Sequence, residues 1–397
     1  MNGAGAGAKG VGMTRRPQLG AYVYPWDVDG DPAAADRLAA LGVRRACVAA
    51  AYHAVRALTP RHPHHKVVTA DRSAVYFPLD PARWSSADRL RPVEAAWSWH
   101  SFGPAVTALN DAGVEVYAWT ILAHNDGLGL REPEATVVNA YGDRYPWALC
   151  IAQEQVQRHC ATLAAEAASQ PGLAGVELES CGWYGFDHLH AHDKSAGVLL
   201  PPSAKLLFSL CFCPACQDAY REAGADPARL RADVRAALDP VFAGTADDAH
   251  LPDEQSGAVA RMRTAIATRL RERAVSAVRA ERPDLPVLLH AHPDPLACGA
   301  SPGLPPETAH ALADAPVLLC PTRSDAALDA VRAYAGNGRR VVATVAAVQG
   351  LGADPSDLTA WCADLTDAGA TELRFYHPGL ASATDLEAMR KATAALR

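Results

Sequence analysis

Short apolar segments alternate with alanine- and leucine-rich helical segments along most of the 397-residue chain. The apolar segments are nearly continuous, which is typical of strands buried on both faces, as in a parallel sheet. A strand–helix unit that repeats eight times predicts an α/β fold, the closed (β/α)8 or TIM barrel, because a doubly wound open sheet needs no eighth unit. The predicted strands are Leu19–Trp26, Arg45–Tyr52, Val114–Leu122, Gly172–Glu179, Pro286–His292, Pro316–Cys320, Arg340–Val348 and Thr371–Tyr376.

The same pattern predicts one barrel domain over residues 18–397, preceded by a disordered leader over residues 1–17. The leader contains Gly5-x-Gly7-x-x-Gly10, but a phosphate-binding loop also needs a strand before these glycines and a helix after them. Two insertions interrupt the strand–helix rhythm, at 53–101 after the second strand and at 181–284 after the fourth. We expect both insertions to be loops that cover the carboxyl-terminal ends of the strands.

Composition and motif content narrow the function. The formal net charge is −7 and no basic stripe is interleaved with aromatic residues, so nucleic acid is not an expected partner. No apolar run has the length of a membrane span and no secretory signal is recognised, so we expect a cytoplasmic protein without a membrane partner, and leave oligomerisation open. The chain contains no Walker or HExxH motif, which removes the commonest nucleotide-binding and metalloprotease functions.

The sharpest local motif is Cys211-Phe-Cys213-Pro-Ala-Cys216. Three thiolates at this spacing can surround one tetrahedral zinc ion, which then needs a fourth ligand from elsewhere in the chain. Disulfides are disfavoured in the cytoplasm, so clustered cysteines there indicate a metal. The candidates for the fourth ligand are Cys150 and Cys181.

The segment Gly142-Asp-Arg-Tyr-Pro-Trp-Ala-Leu-Cys150, followed by the Cys211–Cys216 motif, resembles the zinc-bearing barrel β-galactosidases of glycoside hydrolase family 42. It is also similar to loosely defined glycosyl-hydrolase-like barrels of bacterial genomes. The resemblance covers residues 114–220. It implies that Cys150 joins Cys211, Cys213 and Cys216 around a structural zinc with no open position for catalysis, and that the substrate is a small carbohydrate or glycoside.

The sequence departs from that family at the ends of strands four and seven. The family has Asn-Glu at the end of strand four and a nucleophilic Glu at the end of strand seven. Here strand four ends in Leu178-Glu179, and strand seven ends in Val348-Gln349-Gly350. The resemblance therefore supplies one catalytic carboxylate and not the pair that a retaining mechanism needs.

Two glutamates of strand four are expected to point into the barrel, because side chains alternate along a strand. Glu179 is nearer the open end, and we predict that it is the general acid. Glu177 lies deeper, where pairing with an arginine or with backbone is a better explanation than function. A second carboxylate is needed for glycoside cleavage, and we predict Asp294 as base or nucleophile, although a turn residue between two prolines is the alternative. The other candidates are Asp27, Asp126, Asp187 and Asp325.

Polar and aromatic residues recur just past the strand ends, which a barrel gathers at one face. The predicted sugar-binding residues are Trp26, Asp27, His53, His124, Asp126, Glu177, Trp183, Tyr184, Asp187 and His292. Trp119 could stack on a sugar ring or belong to the core. His188, His190 and His192 could line a lid over the pocket or bind metal.

Three functions remain open at this point. The leading hypothesis is a glycoside hydrolase with Glu179 as proton donor. The second is a metal-dependent isomerase, epimerase or hydrolase that would use Glu179, His292 and Asp294 as ligands. The third is a barrel that binds sugars without cleaving them, which the missing carboxylate of strand seven keeps possible.

Overall fold

The computed structural model describes residues 16–85, 87–95, 98, 100–187 and 193–396. The described residues do not include residues 1–15 of the predicted leader, nor His188, His190 and His192. Within the described part, no helix is both long and apolar enough to cross a membrane.

Eight parallel strands form a closed barrel. β1 pairs with β2 on one side and with β8 on the other, so that Tyr22 is in register with both Cys47 and Tyr376. The remaining strands follow in chain order around the barrel. The predicted fold is confirmed, and each predicted strand overlaps an observed one. The strands are β1 (Gln18–Val23), β2 (Arg45–Tyr52), β3 (Glu115–Ile121), β4 (Gly175–Glu179), β5 (Val287–His290), β6 (Ala315–Leu319), β7 (Val342–Ala346) and β8 (Glu372–Tyr376).

Helices follow the strands and cover the outside of the barrel. The α-helices are α1 (Ala34–Ala40), α2 (Phe102–Asp111), α3 (Asp126–Arg131), α4 (Glu154–Ser169), α5 (Pro202–Phe208), α6 (Pro214–Glu222), α7 (Pro227–Phe242), α8 (Asp253–Glu281), α9 (Pro306–Leu312), α10 (Asp325–Tyr334), α11 (Leu358–Asp367) and α12 (Ala383–Ala395). Short 3-10 helices span Pro25–Asp27, Pro133–Ala135, Ser195–Gly197, Gly336–Gly338, Gln349–Leu351 and Pro378–Leu380.

The insertion after β2 contains a hairpin of Val55–Leu58 and Val67–Ala70, followed by the short strand Ala74–Val75. That short strand pairs antiparallel with the end of β2. A second hairpin, Thr136–Val138 with Arg144–Leu149, lies between α3 and α4. These elements build up the carboxyl-terminal face of the barrel.

The segment 181–284 has two parts. α5, α6 and α7 are additions to the barrel pattern, whereas the 29-residue α8 packs along α4. α8 therefore takes the position of the helix that connects β4 to β5, and does not cover the strand ends as we expected of the whole segment.

A glycine in β4 makes room for the aromatic lining of the barrel. A Cβ atom at Gly175 would come within 2.1 Å of the Tyr117 ring, which lies against β4 at this point. The guanidinium groups of Arg45, Arg340 and Arg374 lie 4.6, 5.9 and 5.6 Å from the centre of that ring. The base of the barrel thus holds cations against an aromatic face rather than a purely apolar core.

Candidate functional site

The base of the barrel contains a network of mostly buried ion pairs, which we call the basal cluster. Glu372, at the start of β8, is 1% exposed and accepts hydrogen bonds from Arg45, Arg340 and Arg374. Arg45 also pairs with Glu115 at 2.8 Å. Each carboxylate of the cluster faces at least one arginine, which is what burial of charge requires. The basal cluster consists of Arg45, Glu115, Glu177, Arg340, Glu372 and Arg374.

Glu177 belongs to this network. Its carboxylate is fully buried and accepts from Arg374, from the Tyr22 hydroxyl at 2.5 Å and from Nε2 of His290 at 2.8 Å. These donors occupy both carboxylate oxygens. The structure therefore places Glu177, predicted to bind sugar, in a paired structural environment.

Glu179 lies one pleat higher, at the open end of β4, where its side chain is 10% exposed. Its Oε2 accepts a hydrogen bond from Nε1 of Trp119 at 2.8 Å, and Nε2 of His290 lies 3.8 Å from the same oxygen. Burial raises the pKa of Glu179, while His290 and the Trp119 hydrogen bond lower it. Because burial is the largest of these effects, the Glu179 carboxyl stays protonated to a higher pH than an exposed glutamate does.

Aromatic side chains surround Glu179 and form what we call the mouth cluster. The Trp119 ring centre lies 4.8 Å from the rings of both Tyr22 and Tyr52. Burial raises the pKa of Tyr376 to about 12, so this hydroxyl stays protonated at neutral pH. The mouth cluster consists of Tyr22, Tyr52, Trp119, Glu179, Tyr184, His290 and Tyr376.

Two residues next to the mouth have strained backbones. Ser180 follows Glu179 with φ 53°, and His377 follows the end of β8 with φ 55°. Both side chains are buried, and neither the Ser180 hydroxyl nor the ring nitrogens of His377 have a hydrogen-bond partner among the described residues. Burial lowers the pKa of His377 to about 3, so its ring is neutral. Strain and unmet polar groups at strand ends are typical of functional sites.

Three of the predicted sugar-binding residues lie together beside the mouth. The His124 ring stacks on Tyr184 with centres 4.4 Å apart, and His53 lies 4.9 Å from His124. Nδ1 of His124 lies 2.9 Å from the Trp147 carbonyl oxygen, which fixes the ring orientation. Asp126 is used differently, since it accepts from both the backbone and the hydroxyl of Ser73 and so ties the loops after β2 and β3 together.

Trp26 and Asp27 lie on the β1 side of this face. Trp26 stacks on Tyr24 with centres 4.4 Å apart, and Tyr24 also contacts the rings of His377 at 4.2 Å and Tyr52 at 5.1 Å. Asp27 is 7% exposed, accepts from the Tyr24 backbone and has one oxygen without a partner among the described residues. Burial raises its pKa to about 7. Trp26 and Asp27 therefore reach the mouth cluster through Tyr24, whose ring contacts Tyr52.

Three further predicted residues line a separate cleft of about 470 Å³ rather than the mouth cluster. Asp187 pairs with Lys205 at 3.2 Å, and His292 accepts from the Asp294 backbone at 3.1 Å. Asp294 is exposed, and its carboxylate accepts from the Leu296 backbone at 2.9 Å, which is a turn contact. β5 ends at His290, so the alternation that would aim His292 inwards stops before that residue.

Trp183 faces away from the mouth. Its Nε1 donates to the Arg263 carbonyl at 2.9 Å, and the Arg263 guanidinium lies 4.7 Å from its ring centre. It therefore packs the loop after β4 against α8. Asp325, also a candidate carboxylate, begins α10 and lines a different surface cleft.

The four cysteines predicted to hold zinc lie together. Their sulfur atoms are all within 4.8 Å of one another, and each residue is buried. Cys150 Sγ lies 3.6 Å from Cys213 Sγ and 3.4 Å from Cys216 Sγ. Tetrahedral coordination with metal–sulfur bonds of about 2.3 Å separates the sulfur atoms by about 3.8 Å, close to these distances. Cys181 is not in this group.

Local contacts also suit a cation at this cluster. Backbone N–H groups of Val138 and Cys213 donate to Cys211 Sγ at 3.4 Å, as they would to a thiolate. Hydrogen bonds with the other three cysteines lower the pKa of Cys213, whereas hydrogen bonds with Cys211 and Cys213 raise the pKa of Cys150 and of Cys216. Four thiolates need a dication to coexist here, so the cluster can bind a metal ion.

No second group of this kind is found among the described residues, and Glu179, His292 and Asp294 do not form one. Sequence reasoning also missed parts of the mouth. Tyr52 and Tyr376 end their strands, and His290 is the last residue of β5, so strand-end position was the signal for each. Nothing in the local sequence marks the left-handed backbone of Ser180 or His377, because neither is glycine.

Several solved glycoside hydrolases have a similar fold. α-L-Fucosidase isoenzyme 2 from Paenibacillus thiaminolyticus matches with a TM-score of 0.58 and 14% identity, over 96% of this chain and 49% of the fucosidase. The PgaB (BpsB) glycoside hydrolase domain from Bordetella bronchiseptica gives 0.57 and 16%, over 95% and 98%. A catalytic mutant of Gan42B, a family 42 β-galactosidase from G. stearothermophilus, gives 0.57 and 12%, over 96% and 56%.

This chain thus spans about half the length of the fucosidase and of the β-galactosidase. At these identities the similarity establishes the fold, and fold alone is a weak guide to function. No protein-family model matches the sequence, and no curated protein matches it.

Proposed function

We propose that this protein is a glycoside hydrolase that uses Glu179 as general acid on a small carbohydrate or glycoside. The observation that carries the proposal is the environment of Glu179, a largely buried carboxyl at the open end of β4, held by Trp119 and surrounded by aromatic rings. Burial that raises a carboxyl pKa is how such sites keep a proton available near neutral pH. The similar fold of several glycoside hydrolases agrees with this function.

In the proposed reaction, the Glu179 carboxyl donates its proton to the glycosidic oxygen as the bond from that oxygen to the anomeric carbon breaks. A water molecule then adds to the anomeric carbon, and its proton passes to a base. The His124–Tyr184 stack and His53 lie beside Glu179 and would contact the sugar ring and its hydroxyl groups. Trp26 and Asp27 would act indirectly, by holding Tyr24 in place.

Asp294 is our proposed base. Its carboxylate is exposed to water in the cleft that also contains Asp187 and His292, so this role requires the substrate to extend from Glu179 into that cleft. Glu177 is unsuited to the role because arginine, tyrosine and histidine donors already occupy its oxygens. Asp126 is likewise occupied by Ser73. A variant Asp294→Asn that loses turnover, while Asp325→Asn at the start of α10 keeps it, is the expected result for this assignment.

A barrel that binds sugar without cleaving it is the second candidate. The specific observation in its favour is the end of β7, where the backbone of Gln349 donates to Asp385 and no carboxylate faces the mouth from this strand. Glycoside cleavage usually needs two carboxylates, so a barrel with one would bind its ligand intact.

The variant Glu179→Gln separates these two functions. We expect turnover of a cleaved glycoside to fall by about 10²–10⁴-fold while sugar affinity stays within a few-fold. The reason is that the glutamine amide has the shape of the carboxyl but has no acidic proton to donate. Glu166→Gln is the matched control. Glu166 is also buried and accepts a hydrogen bond from a tryptophan N–H, that of Trp84. It belongs to α4, however, and faces the insertion after β2 instead of the mouth. Unchanged turnover in Glu179→Gln would overturn the acid role. Sugar binding with no cleavage of any glycoside by the unmodified protein would establish the binding-only function.

We also propose that the metal at Cys150, Cys211, Cys213 and Cys216 is zinc and that its role is structural. The cluster joins the hairpin after α3 to the start of α6, and the Phe212 backbone donates to the Val138 carbonyl at 2.7 Å beside it. Four thiolates leave no coordination position for substrate. Residues 18–397 would then form one domain whose inserted helices are fixed to the barrel by the metal.

Metal analysis of Cys213→Ser tests the zinc proposal. We expect one zinc per chain in the unmodified protein, loss of that zinc in the variant, and a decrease of about 4 kcal/mol or more in the free energy of unfolding. Cys181→Ser is the matched control, because Cys181 is buried and was the other candidate ligand. Zinc that stays in Cys213→Ser and leaves in Cys181→Ser would contradict the assigned ligand set.

A further inference from the structure

We propose that Glu177 and His290 are positioning residues that control how readily Glu179 releases its proton. The inference rests on the proposed acid role of Glu179. It concerns two residues that do not touch the substrate in that role, and it follows from the position of one imidazole N–H between two carboxylates of β4.

The geometry at His290 fixes which nitrogen carries the proton. Nε2 lies 2.8 Å from Glu177 Oε1 and 3.8 Å from Glu179 Oε2, while Nδ1 lies 3.4 Å from the Ser301 hydroxyl. A carboxylate can only accept a hydrogen bond, so Nε2 must be the donor whenever Glu177 is ionised. Burial lowers the pKa of His290, so the ring stays neutral and Nδ1 is left as an acceptor for Ser301.

The position of His290 is set from the basal side. Glu177 is held by Arg374 and by the Tyr22 hydroxyl at 2.5 Å, and all three side chains are almost completely buried. The His290 ring is 2% exposed and lies in the same packed layer. The N–H that faces Glu179 is thus held in place by Glu177 rather than by solvent.

The hydrogen bond that His290 donates can change with the protonation state of Glu179. With Glu179 protonated, His290 donates to Glu177. When Glu179 gives its proton to a leaving group, the new anion lies 3.8 Å from the same N–H, and a small rotation of the ring shares that hydrogen between the two carboxylates. No proton leaves His290 in this step. The imidazole favours the Glu179 anion, while the negative charge of Glu177 opposes it.

The other titratable groups facing Glu179 cannot take this role. They are Tyr22 from β1, Tyr52 from β2, Tyr184 from the loop after β4 and Tyr376 from β8. Burial raises the pKa of each hydroxyl, so all four remain neutral across the working range. Trp119, from β3, donates a hydrogen bond but carries no charge. The charge of Arg374 reaches Glu179 only past Glu177, which it contacts.

The pH dependence of kcat/KM separates this role from a structural one. A general acid must be protonated, so its pKa appears in the alkaline limb. We expect His290→Leu to move this limb up by about one pH unit, because the anion loses a donor, and Glu177→Gln to move it down by about one unit, because a repelling charge is removed. Loss of packing alone would lower activity without moving the limb in opposite directions.

Two further variants keep the test decisive. Tyr22→Phe removes one donor to Glu177 and should bind the His290 N–H more tightly to that carboxylate, so the limb should move up by less than in His290→Leu. If Glu177→Gln does not fold, this pair decides the question. Glu166→Gln is again the control and should move nothing. The proposal would be overturned if the alkaline limb of kcat/KM stays at the same pH, or moves down, in both His290→Leu and Tyr22→Phe.

A direct titration distinguishes failure of this inference from failure of the proposed function. The carboxyl carbon of Glu179 can be followed by NMR in protein labelled at glutamate carboxyl groups and assigned by its disappearance in Glu179→Gln. Opposite shifts of its midpoint in His290→Leu and Glu177→Gln would support the inference even if no glycoside is cleaved. An unchanged midpoint would reject it even in an active enzyme.

Discussion

Glu177 and Glu179 are two residues apart on one strand, yet they lie in regions that treat buried polar groups differently. Around Glu177 and throughout the basal cluster, each carboxylate accepts from arginine. Around Glu179 the donors are a tryptophan and a distant imidazole, and the neighbouring Ser180 and His377 combine left-handed backbones with polar atoms that have no partner. Every carboxylate of the base is paired with arginine, although Arg45 Nε and Arg374 Nη2 have no hydrogen-bond partner among the described residues, whereas the mouth combines unpaired polar atoms with left-handed backbone.

This difference indicates where stability and function reside in the molecule. Pairing buried charges protects a fold from the large cost of leaving one alone, but it does not leave an atom free for a ligand. Unpaired polar atoms and strained backbones cost stability, and they persist where a site is needed. Three variants test this division, in order of decreasing expected effect on the free energy of unfolding.

The largest effect is expected from Arg374→Leu in the basal cluster. Removal of this guanidinium leaves Glu177 and Glu372 short of a partner inside the barrel, and the free energy of unfolding should fall by about 3–5 kcal/mol. Urea unfolding followed by circular dichroism measures the loss. Arg273→Leu is the control, because the Arg273–Glu154 pair is exposed and should contribute less than about 1 kcal/mol.

The double variant Arg374→Leu/Glu177→Leu sharpens the same test. If the cost of Arg374→Leu comes from an uncompensated carboxylate, removal of Glu177 as well should restore part of the stability. If the two losses simply add, the basal cluster acts through packing rather than through paired charge, and the contrast with the mouth would fail.

The sequence predicted the two regions unequally, for physical reasons. The barrel followed from eight apolar segments, since burial on both faces leaves a strong mark on composition. Glu177 and Glu179 followed from alternation, which holds only within a strand. It does not extend to His292 and Asp294, because β5 ends at His290.

Loops and long-range pairs carry no comparable signal. Trp183 lies four residues past β4, where the direction of the chain depends on its packing against Arg263 of α8. The pairing of Glu177 with Arg374 joins β4 to β8, almost two hundred residues apart, so only the possibility of such a pair could be stated. The four cysteines were easier, because three of them are local in sequence.

An intermediate effect is expected at Asp27, on the mouth side. Its pKa of about 7 in the folded protein lies above the ordinary value of 3.8. The stability it contributes is therefore fully present below pH 3.8 and is lost as the pH rises towards 7, because the unfolded state ionises this carboxyl over that range while the folded state keeps it protonated. The shift corresponds to a change of about 2–4 kcal/mol over that window.

Asp27→Asn should remove this dependence. The difference in free energy of unfolding between the variant and the unmodified protein should rise in favour of Asp27→Asn from pH 4 to pH 7.5, as measured by urea unfolding. Asp126→Asn is the control, because Asp126 already has two partners in Ser73. A difference that stays constant with pH would mean that Asp27 is ionised and paired, as in the basal cluster.

The smallest effect, and the most specific, concerns the backbone at His377. A residue with a Cβ atom pays about 1 kcal/mol for φ 55°, whereas glycine does not. Both His377→Ala and His377→Gly lose the ring that stacks on Tyr24, so their difference isolates the backbone. We expect His377→Gly to be the more stable of the two by about 1 kcal/mol, which reverses the usual order of alanine over glycine. Ala381, four residues later with φ −69°, is the matched position, and Ala381→Gly should show the usual order by losing about 0.5–1 kcal/mol. If alanine is the more stable residue at 377 as well, the backbone there relaxes without cost. The mouth would then hold unpaired polar atoms but no strain, and only half of its contrast with the base would remain.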